Sequence, residues 1–169
     1  MLDAPITTLE PDEVFVFGSN RDGFHGAGGA GLACRGNAGP DWRSDAQFCA
    51  MKDAPVGDPA RVGRWAVYGV GRGHQVGLEG QSYAIQTIEW PGRRCSTSRR
   101  AIYHQLAELV AFARANPHLR FIVTNLGEGL SGYKWAEMAV VWRELDARCG
   151  GLPASFRFVR VAARNGGLT

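Results

Sequence analysis

Two glycine-rich segments hold the residues that are best suited to binding a ligand. Residues 18–20 (Gly-Ser-Asn) and 25–31 (His-Gly-Ala-Gly-Gly-Ala-Gly) follow an apolar run at 14–17, and residues 125–133 (Asn-Leu-Gly-Glu-Gly-Leu-Ser-Gly-Tyr) follow another at 121–124. Each segment precedes a candidate helix, whose first N–H groups favour an anion, and glycine has no Cβ to obstruct the approach. Together the segments predict a site for a phosphate-bearing ligand.

Polar residues in these segments are the candidates for chemistry. Asn20, Asp22 and His25 are predicted to be catalytic, since they are polar residues of the first segment and a histidine titrates near neutral pH. Asp22 has an alternative role as the first residue of an Asx turn before a glycine. Glu128 is expected to face away from a pyrophosphate, or to contact a hydroxyl or a base, because its carboxylate would repel the phosphates.

The common phosphate motifs do not explain the glycines. No Gly-Lys-Ser or Gly-Lys-Thr is present, which excludes a P-loop nucleotide hydrolase. Gly26, Gly28 and Gly31 satisfy Gly-x-Gly-x-x-Gly, but they lie well beyond the strand end, and no acidic residue ends an apolar strand about 20 residues later, as a dinucleotide site requires. One glycine loop could serve only as a turn. Two loops at one sheet edge favour a ligand crevice.

Composition and cysteine spacing limit the class of protein. The 169 residues fit one domain, 1–169, and 23 glycines are present where average usage predicts about 12. The net charge of +3 suits a small anionic ligand, and almost all of the positively charged residues are arginines. No signal peptide or membrane-spanning run is recognisable, so a cytoplasmic protein without membrane association is expected. The four cysteines match no zinc pattern, and neither a metal nor a cofactor is expected.

The coarse pattern alternates strands with helices, which predicts an α/β domain with a largely parallel sheet. An irregular insertion is expected at about 37–64, and residues 71–74 are expected to form a turn. Strands are predicted at 14–17, 65–70, 82–87, 121–124 and 156–161. Helices are predicted at 29–35, at 46–51, from a cap at Ser96 or Thr97 to Asn116, and along the face formed by Trp135, Met138, Ala139, Trp142 and Leu145.

The two segments and their flanks resemble the macrodomain family, whose members bind or hydrolyse ADP-ribose. The similarity covers roughly residues 13–146. It includes a strand that ends in Asn20, the Gly-Ala-Gly-Gly-Ala run at 26–30, and the run 127–133 (Gly-Glu-Gly-Leu-Ser-Gly-Tyr). Residues 80–85 (Gly-Gln-Ser-Tyr-Ala-Ile) are similar to a run in bacterial and phage macrodomain-like proteins, and residues 127–130 are similar to the branch that removes terminal ADP-ribose from acidic side chains.

The resemblance implies a three-layer α/β/α fold with a mixed, largely parallel sheet. It implies that Asn20 contacts the distal ribose, that the second loop holds the diphosphate, and that Tyr133 lies against the distal ribose. The implied ligand-binding residues are Gly18, Ser19, Asn20, Gly26, Ala27, Gly28, Gly29, Ala30, Thr87, Asn125, Gly127, Glu128, Gly129, Leu130, Ser131, Gly132 and Tyr133.

Three functions remain open from the sequence. The first is hydrolysis of an ADP-ribosyl linkage on a modified substrate. The second is a reader that binds ADP-ribose without turnover, which is favoured because the lysine of the hydrolytic branch has no counterpart at residues 86–89 and Ser131 replaces its acidic residue. The third is association with nucleic acid through Arg93, Arg94, Arg99 and Arg100, a cluster that could equally be a solvated helix edge.

Overall fold

The computed structural model describes residues 5–36, 39, 43–89 and 93–160. The strands are β1 (Glu13–Asn20), β2 (Gly73–Val76), β3 (Gln81–Ile88), β4 (Arg120–Val123) and β5 (Phe156–Phe158). The helices are α1 (Gly28–Arg35), α2 (Ala46–Asp53), α3 (Arg99–Ala115) and α4 (Trp135–Cys149), with short 3-10 turns at Pro59–Arg61 and Gly129–Ser131. Within these ranges no helix combines the length and the apolarity needed to cross a membrane.

The strands form one sheet in the order β2-β3-β1-β4-β5. β1 lies at the centre and pairs in parallel with both β3 and β4, and β5 pairs in parallel with β4. Only β2 is antiparallel in the described sheet, where it forms the edge next to β3. The α/β class with a mixed, largely parallel sheet is therefore confirmed, and the carboxyl ends of β3, β1 and β4 lie at the same edge.

Helices cover both faces of the sheet, which explains why β1 is apolar without alternation. Val14 and Val16 pack against α3 and α4, whereas Phe15 and Phe17 pack against α1 and the loop that carries Trp65. All four β1 residues are fully buried. The arrangement is the expected three-layer α/β/α sandwich, and it places the helix after β1 on the opposite face from the helices after β3 and β4.

The predicted strand at 65–70 is wrong. Residues 65–70 form turns, with one isolated bridge between Val62 and Val67. Trp65 is fully buried against Phe15, with ring centroids 5.1 Å apart, and its backbone N–H donates to the Ala33 carbonyl at 2.7 Å. The apolar run thus reflects a buried loop. The edge strand β2 begins at Gly73 instead, within the segment expected to be a turn.

The helix predictions are confirmed with small changes in their ends. α3 is capped by Ser98, whose Oγ accepts from the Ala101 N–H at 3.1 Å, and not by Ser96 or Thr97. α4 begins after Lys134, whose N–H donates to Glu137 Oε2 at 2.8 Å. Trp135, expected in the core, is 40% exposed because it occupies the first position of α4. β5 ends at Phe158, and the end of its predicted range, residue 161, lies outside the described residues.

Candidate functional site

The order and connections of the strands predict a ligand crevice at the carboxyl edge of the sheet. β1 is followed by α1 on one face, and its neighbour β4 is followed by α4 on the other face. Where adjacent parallel strands send their connections to opposite faces, the loops separate and leave a space above the strand ends. The two glycine-rich segments follow these two strands, so they form the walls of the crevice.

The first loop is closed by the side chain of Asn20. Its Oδ1 accepts from the Phe24 N–H at 2.8 Å, and its Nδ2 donates to the Phe24 carbonyl at 3.0 Å. Gly23 in this loop has a φ of +66° and lies so close to the Gly69–Val70 backbone that a Cβ would stand 2.3 Å from the Val70 nitrogen. Asn20 therefore fixes the shape of the loop. Asp22 is exposed on the same loop, with its Oδ1 3.4 Å from Arg21 Nε.

His25 does not face the crevice. Its ring is fully buried, edge-on to Phe17, and Nε2 donates to the Val70 carbonyl at 3.0 Å. Burial lowers the pKa of His25 to about 4, because a charged imidazolium cannot be solvated there, although the Val70 carbonyl opposes this effect. The prediction that His25 is a catalytic acid or base is therefore not supported. His25 instead fixes the first loop to the core through its contacts with Phe17 and the Val70 carbonyl.

The start of α1 leaves its backbone donors available. Ala27 at the N-cap provides no side-chain cap, so the N–H groups of the first turn lack an intrahelical partner. Gly28 has a φ of +61°, and a Cβ built on it would meet no atom within 4 Å. Gly29 instead packs on Phe17, with 3.4 Å between its Cβ position and the Phe17 Cβ. Gly28 is thus the position of this loop that faces open space.

A buried ion pair ties the first loop to the insertion. The Arg35 side chain is fully buried, with Nη1 2.6 Å from Asp45 Oδ2, and Nη2 donates to the Gly26 carbonyl. Asp45 is also the N-cap of α2, where it accepts from the Phe48 N–H at 3.0 Å. This backbone hydrogen bond and the Arg35 guanidinium hold the pKa of Asp45 below its usual range. Phe48 also packs on Phe24 of the loop, with ring centroids 5.8 Å apart.

The second loop folds back on itself above β4. The Tyr133 N–H donates to the Gly127 carbonyl at 2.9 Å and so closes the loop. Gly127, with a φ of +82°, lies against Met138, which leaves no room for a Cβ. Glu128 Oε2 accepts from Asn125 Nδ2 at 2.5 Å, and Oε1 lies 3.7 Å from Arg160. The carboxylate of Glu128 is therefore held by Asn125 inside its own loop and by Arg160, two residues beyond β5.

The tip of the second loop resembles the start of α1. The 3-10 turn Gly129–Ser131 has no side-chain cap at Glu128, and a Cβ on Gly129 would meet no atom within 4 Å. Leu130 is 76% exposed at this tip. Both loops therefore present an uncapped helical turn with an open glycine, although only the first turn belongs to a full α-helix.

A buried polar floor connects the strands beneath the loops. Thr87 Oγ1 and Ser131 Oγ are 2.7 Å apart, and Thr87 Oγ1 also donates to the Ser19 carbonyl at 3.4 Å. Gly18 allows this packing, since a Cβ there would stand 3.1 Å from Thr87 Oγ1. Gly18, Ser19, Thr87 and Ser131 are brought together as structural contacts between β1, β3 and the second loop.

Residues 94–97, after β3, pack against the second loop, a set of contacts that the sequence did not predict. The Cys95 N–H donates to the Ser131 carbonyl at 2.7 Å, and the Tyr133 hydroxyl donates to the Thr97 carbonyl at 2.7 Å. The Arg94 side chain lies across Gly132, with Nε 3.0 Å from the position of a Cβ. The arginines of this segment were visible in the sequence, but no local pattern connects them to a loop more than 30 residues later.

Comparison with known proteins supports the fold. No family model matches the chain, and no curated protein matches it either. Among solved structures, the macrodomain of Mycobacterium tuberculosis DarG is similar with a TM-score of 0.52 at 15% identity, covering 94% of each chain. A protein of unknown function from Bacteroides thetaiotaomicron is similar with a TM-score of 0.50 at 14% identity, covering 88% of this chain and 87% of that one. The chain therefore has a macrodomain-like fold.

Proposed function

We propose that the protein binds ADP-ribose, or a nucleotide that contains it, in the crevice between the two glycine-rich loops. The observation that carries the proposal is the pair of uncapped helical turns at the ends of adjacent parallel strands. Each turn offers backbone N–H donors, and a diphosphate has two anionic groups that can accept hydrogen bonds from them. The macrodomain-like fold agrees with this ligand class.

Each loop has a defined part in the proposed complex. The first turn of α1 binds one phosphate through backbone N–H groups, and the turn Gly129–Ser131 binds the other. Asn20 shapes the first loop through both atoms of its amide and presents that loop to the distal ribose. The Tyr133 ring, fixed by its hydroxyl at Thr97, lies at the ribose end of the second loop.

Gly28→Ala is expected to weaken ADP-ribose binding about tenfold, which corresponds to about 1.4 kcal/mol. The added methyl group would project into the open space where the proposed phosphate approaches the backbone. Isothermal titration calorimetry of ADP-ribose, ADP and NAD against the wild type and this variant measures the effect, and ADP-ribose is expected to bind most tightly.

Gly57→Ala is the matched control. Gly57 also has a positive φ (+87°) and also has no atom within 4 Å of a Cβ, but it lies in the insertion after α2. Both variants carry a similar left-handed strain of about 1–2 kcal/mol, so only the difference in affinity reports on the crevice. Absence of ADP-ribose binding to the wild type at millimolar concentration would overturn the proposal.

A second candidate function is hydrolysis of an ADP-ribosyl linkage. It is favoured by Asp22, which keeps an exposed carboxylate on the first loop, with 48% of its side chain accessible. Such a group can orient a water molecule toward the anomeric carbon. Asp22→Asn is then expected to lower the rate of ADP-ribose release from a modified protein or nucleic acid about 100-fold while leaving ADP-ribose affinity unchanged. If the wild type releases ADP-ribose no faster than buffer alone, hydrolysis is excluded and the protein only binds ADP-ribose.

A further inference from the structure

Four arginines after β3 form an exposed basic surface, here called the arginine loop (residues 93–100). Within the described part of the chain, no ion pair or hydrogen bond is made by the side chains of Arg93, Arg94, Arg99 and Arg100. The segment itself contains four arginines and no acidic residue, and Glu89 in the neighbouring cleft is the one carboxylate among the described cleft residues. Guanidinium groups without intramolecular partners are available to bind an anion from outside.

The positions of Arg99 and Arg100 do not serve helix stability. They are the first two residues of α3, and the first turn of this helix has no acidic side chain. The positive end of the helix dipole disfavours cations at this position. Their placement is therefore better explained by an anionic partner than by a contribution to folding.

A cleft of about 320 Å³ lies beside the arginine loop, between the end of β3 and the first turns of α3. Three of its lining side chains, Gln86, Glu89 and His104, make no side-chain hydrogen bond within the described residues. Amide, carboxylate and imidazole groups are those that pair with the edges of nucleobases. The volume is at the lower end of the range for small-molecule pockets and fits one planar base.

The arginine loop is continuous with the crevice. Arg94 lies across Gly132, and the Cys95 N–H donates to the Ser131 carbonyl at 2.7 Å. A chain that occupied the cleft and the arginine loop would therefore run directly to the second glycine-rich loop.

We propose that the arginine loop and the cleft bind single-stranded nucleic acid, with phosphates on the guanidinium groups and one unstacked base in the cleft. The planar guanidinium fork matches the oxygens of a phosphodiester. An acidic polypeptide would satisfy the arginines but would bring no planar base to the cleft lined by Gln86, Glu89 and His104. A duplex keeps its bases stacked and cannot fill the cleft. The proposal does not depend on ADP-ribose binding.

The test compares two double variants with the same change in charge. Arg94→Gln with Arg99→Gln removes half of the proposed contacts, whereas Arg143→Gln with Arg157→Gln removes two exposed arginines on α4 and β5 that also lack described partners. Fluorescence anisotropy with a labelled 12-nucleotide single strand measures affinity across a salt series. Four phosphate contacts predict a slope of about −3 in the plot of log affinity against log salt.

The first double variant is expected to bind about tenfold more weakly with about half the slope, and the second to bind like the wild type. Equal losses in both variants, or a slope near zero for the wild type, would overturn the proposal. His104→Ala is expected to weaken binding of the oligonucleotide but not of inorganic polyphosphate, which has no base. Tighter binding of polyglutamate than of the oligonucleotide would assign the surface to an acidic polypeptide and overturn it as well.

The same variants are titrated with ADP-ribose by calorimetry. Oligonucleotide binding without ADP-ribose binding would contradict the proposed function and support the present proposal. ADP-ribose binding without oligonucleotide binding would support the proposed function and contradict the present proposal. The four arginines are exposed, so unchanged thermal midpoints confirm that the variants fold.

Discussion

Asp45→Asn is expected to lower the free energy of unfolding by about 3 kcal/mol, even though asparagine caps a helix as well as aspartate does. The Arg35 guanidinium is fully buried, and Asp45 is the acidic partner that neutralises it. Removing that charge leaves a buried cation uncompensated, which costs about 3–5 kcal/mol for a fully buried pair. Because 24% of the Asp45 side chain is accessible, the lower end of this range applies. Urea denaturation at pH 7 measures the change.

Asp58→Asn is the control for the loss of a capping charge. Asp58 caps the turn Pro59–Arg61 by accepting from the Ala60 N–H at 2.8 Å, and it has no ion pair among the described residues. Its substitution is expected to change stability by less than about 0.5 kcal/mol. Equal effects of the two substitutions would show that the Arg35–Asp45 pair contributes nothing beyond capping.

The second large effect is a loss of about 3 kcal/mol of stability through His25 when the pH falls from 7 to 4. The imidazole of an unfolded chain takes up a proton near pH 6.5, whereas burial lowers the pKa of His25 in the folded protein to about 4. Between these values the unfolded state binds more protons than the folded state. The stabilisation is therefore complete above pH 6.5 and is lost as the pH falls toward 4.

Urea denaturation at pH 7, 6, 5 and 4 tests this for the wild type, His25→Gln and His104→Gln. The glutamine at position 25 can still donate to the Val70 carbonyl but cannot titrate, so stability should stay nearly constant down to pH 5. His104→Gln makes the same substitution at an exposed histidine and controls for the chemical change itself. Asp12 beside Arg120, and Asp45, have lowered pKa values, so their stabilising effects are lost only as the pH falls below about 5. If the unfolding free energy of His25→Gln changes with pH as steeply as that of the wild type, His25 is not the cause of the pH dependence.

The layers of the fold were predictable because their cause is local. The continuous apolar residues of β1 and β4 signal burial on two faces, and the helical spacing of Ile102, Leu106 and Leu109 signals one buried face. The strand predicted at 65–70 is wrong because a strand and a buried loop can have the same apolar composition. Only the contact of Trp65 with Phe15, 50 residues earlier, distinguishes the two.

The glycine-rich loops of the candidate site were visible in the sequence, but the chemistry of individual residues was not. His25 has the same neighbours in the sequence whether it faces solvent or the core, and its burial under Phe17 depends on the path of residues 67–70. Likewise, the pairing of Arg35 with Asp45 depends on how the insertion returns to the sheet. The insertion, expected to be an irregular excursion, is in fact attached to the first loop.

The central position of β1 has a consequence for the newly made chain. β1 ends at residue 20, and its first partner, β3, begins only at residue 81. At about 5–20 residues per second, ribosomal synthesis of the intervening segment takes about 3–12 s. Throughout that time the Val-Phe-Val-Phe run has no neighbouring strand, and its unpaired backbone can associate with another nascent chain. During translation, β1 is thus exposed to aggregation until β3 has been made.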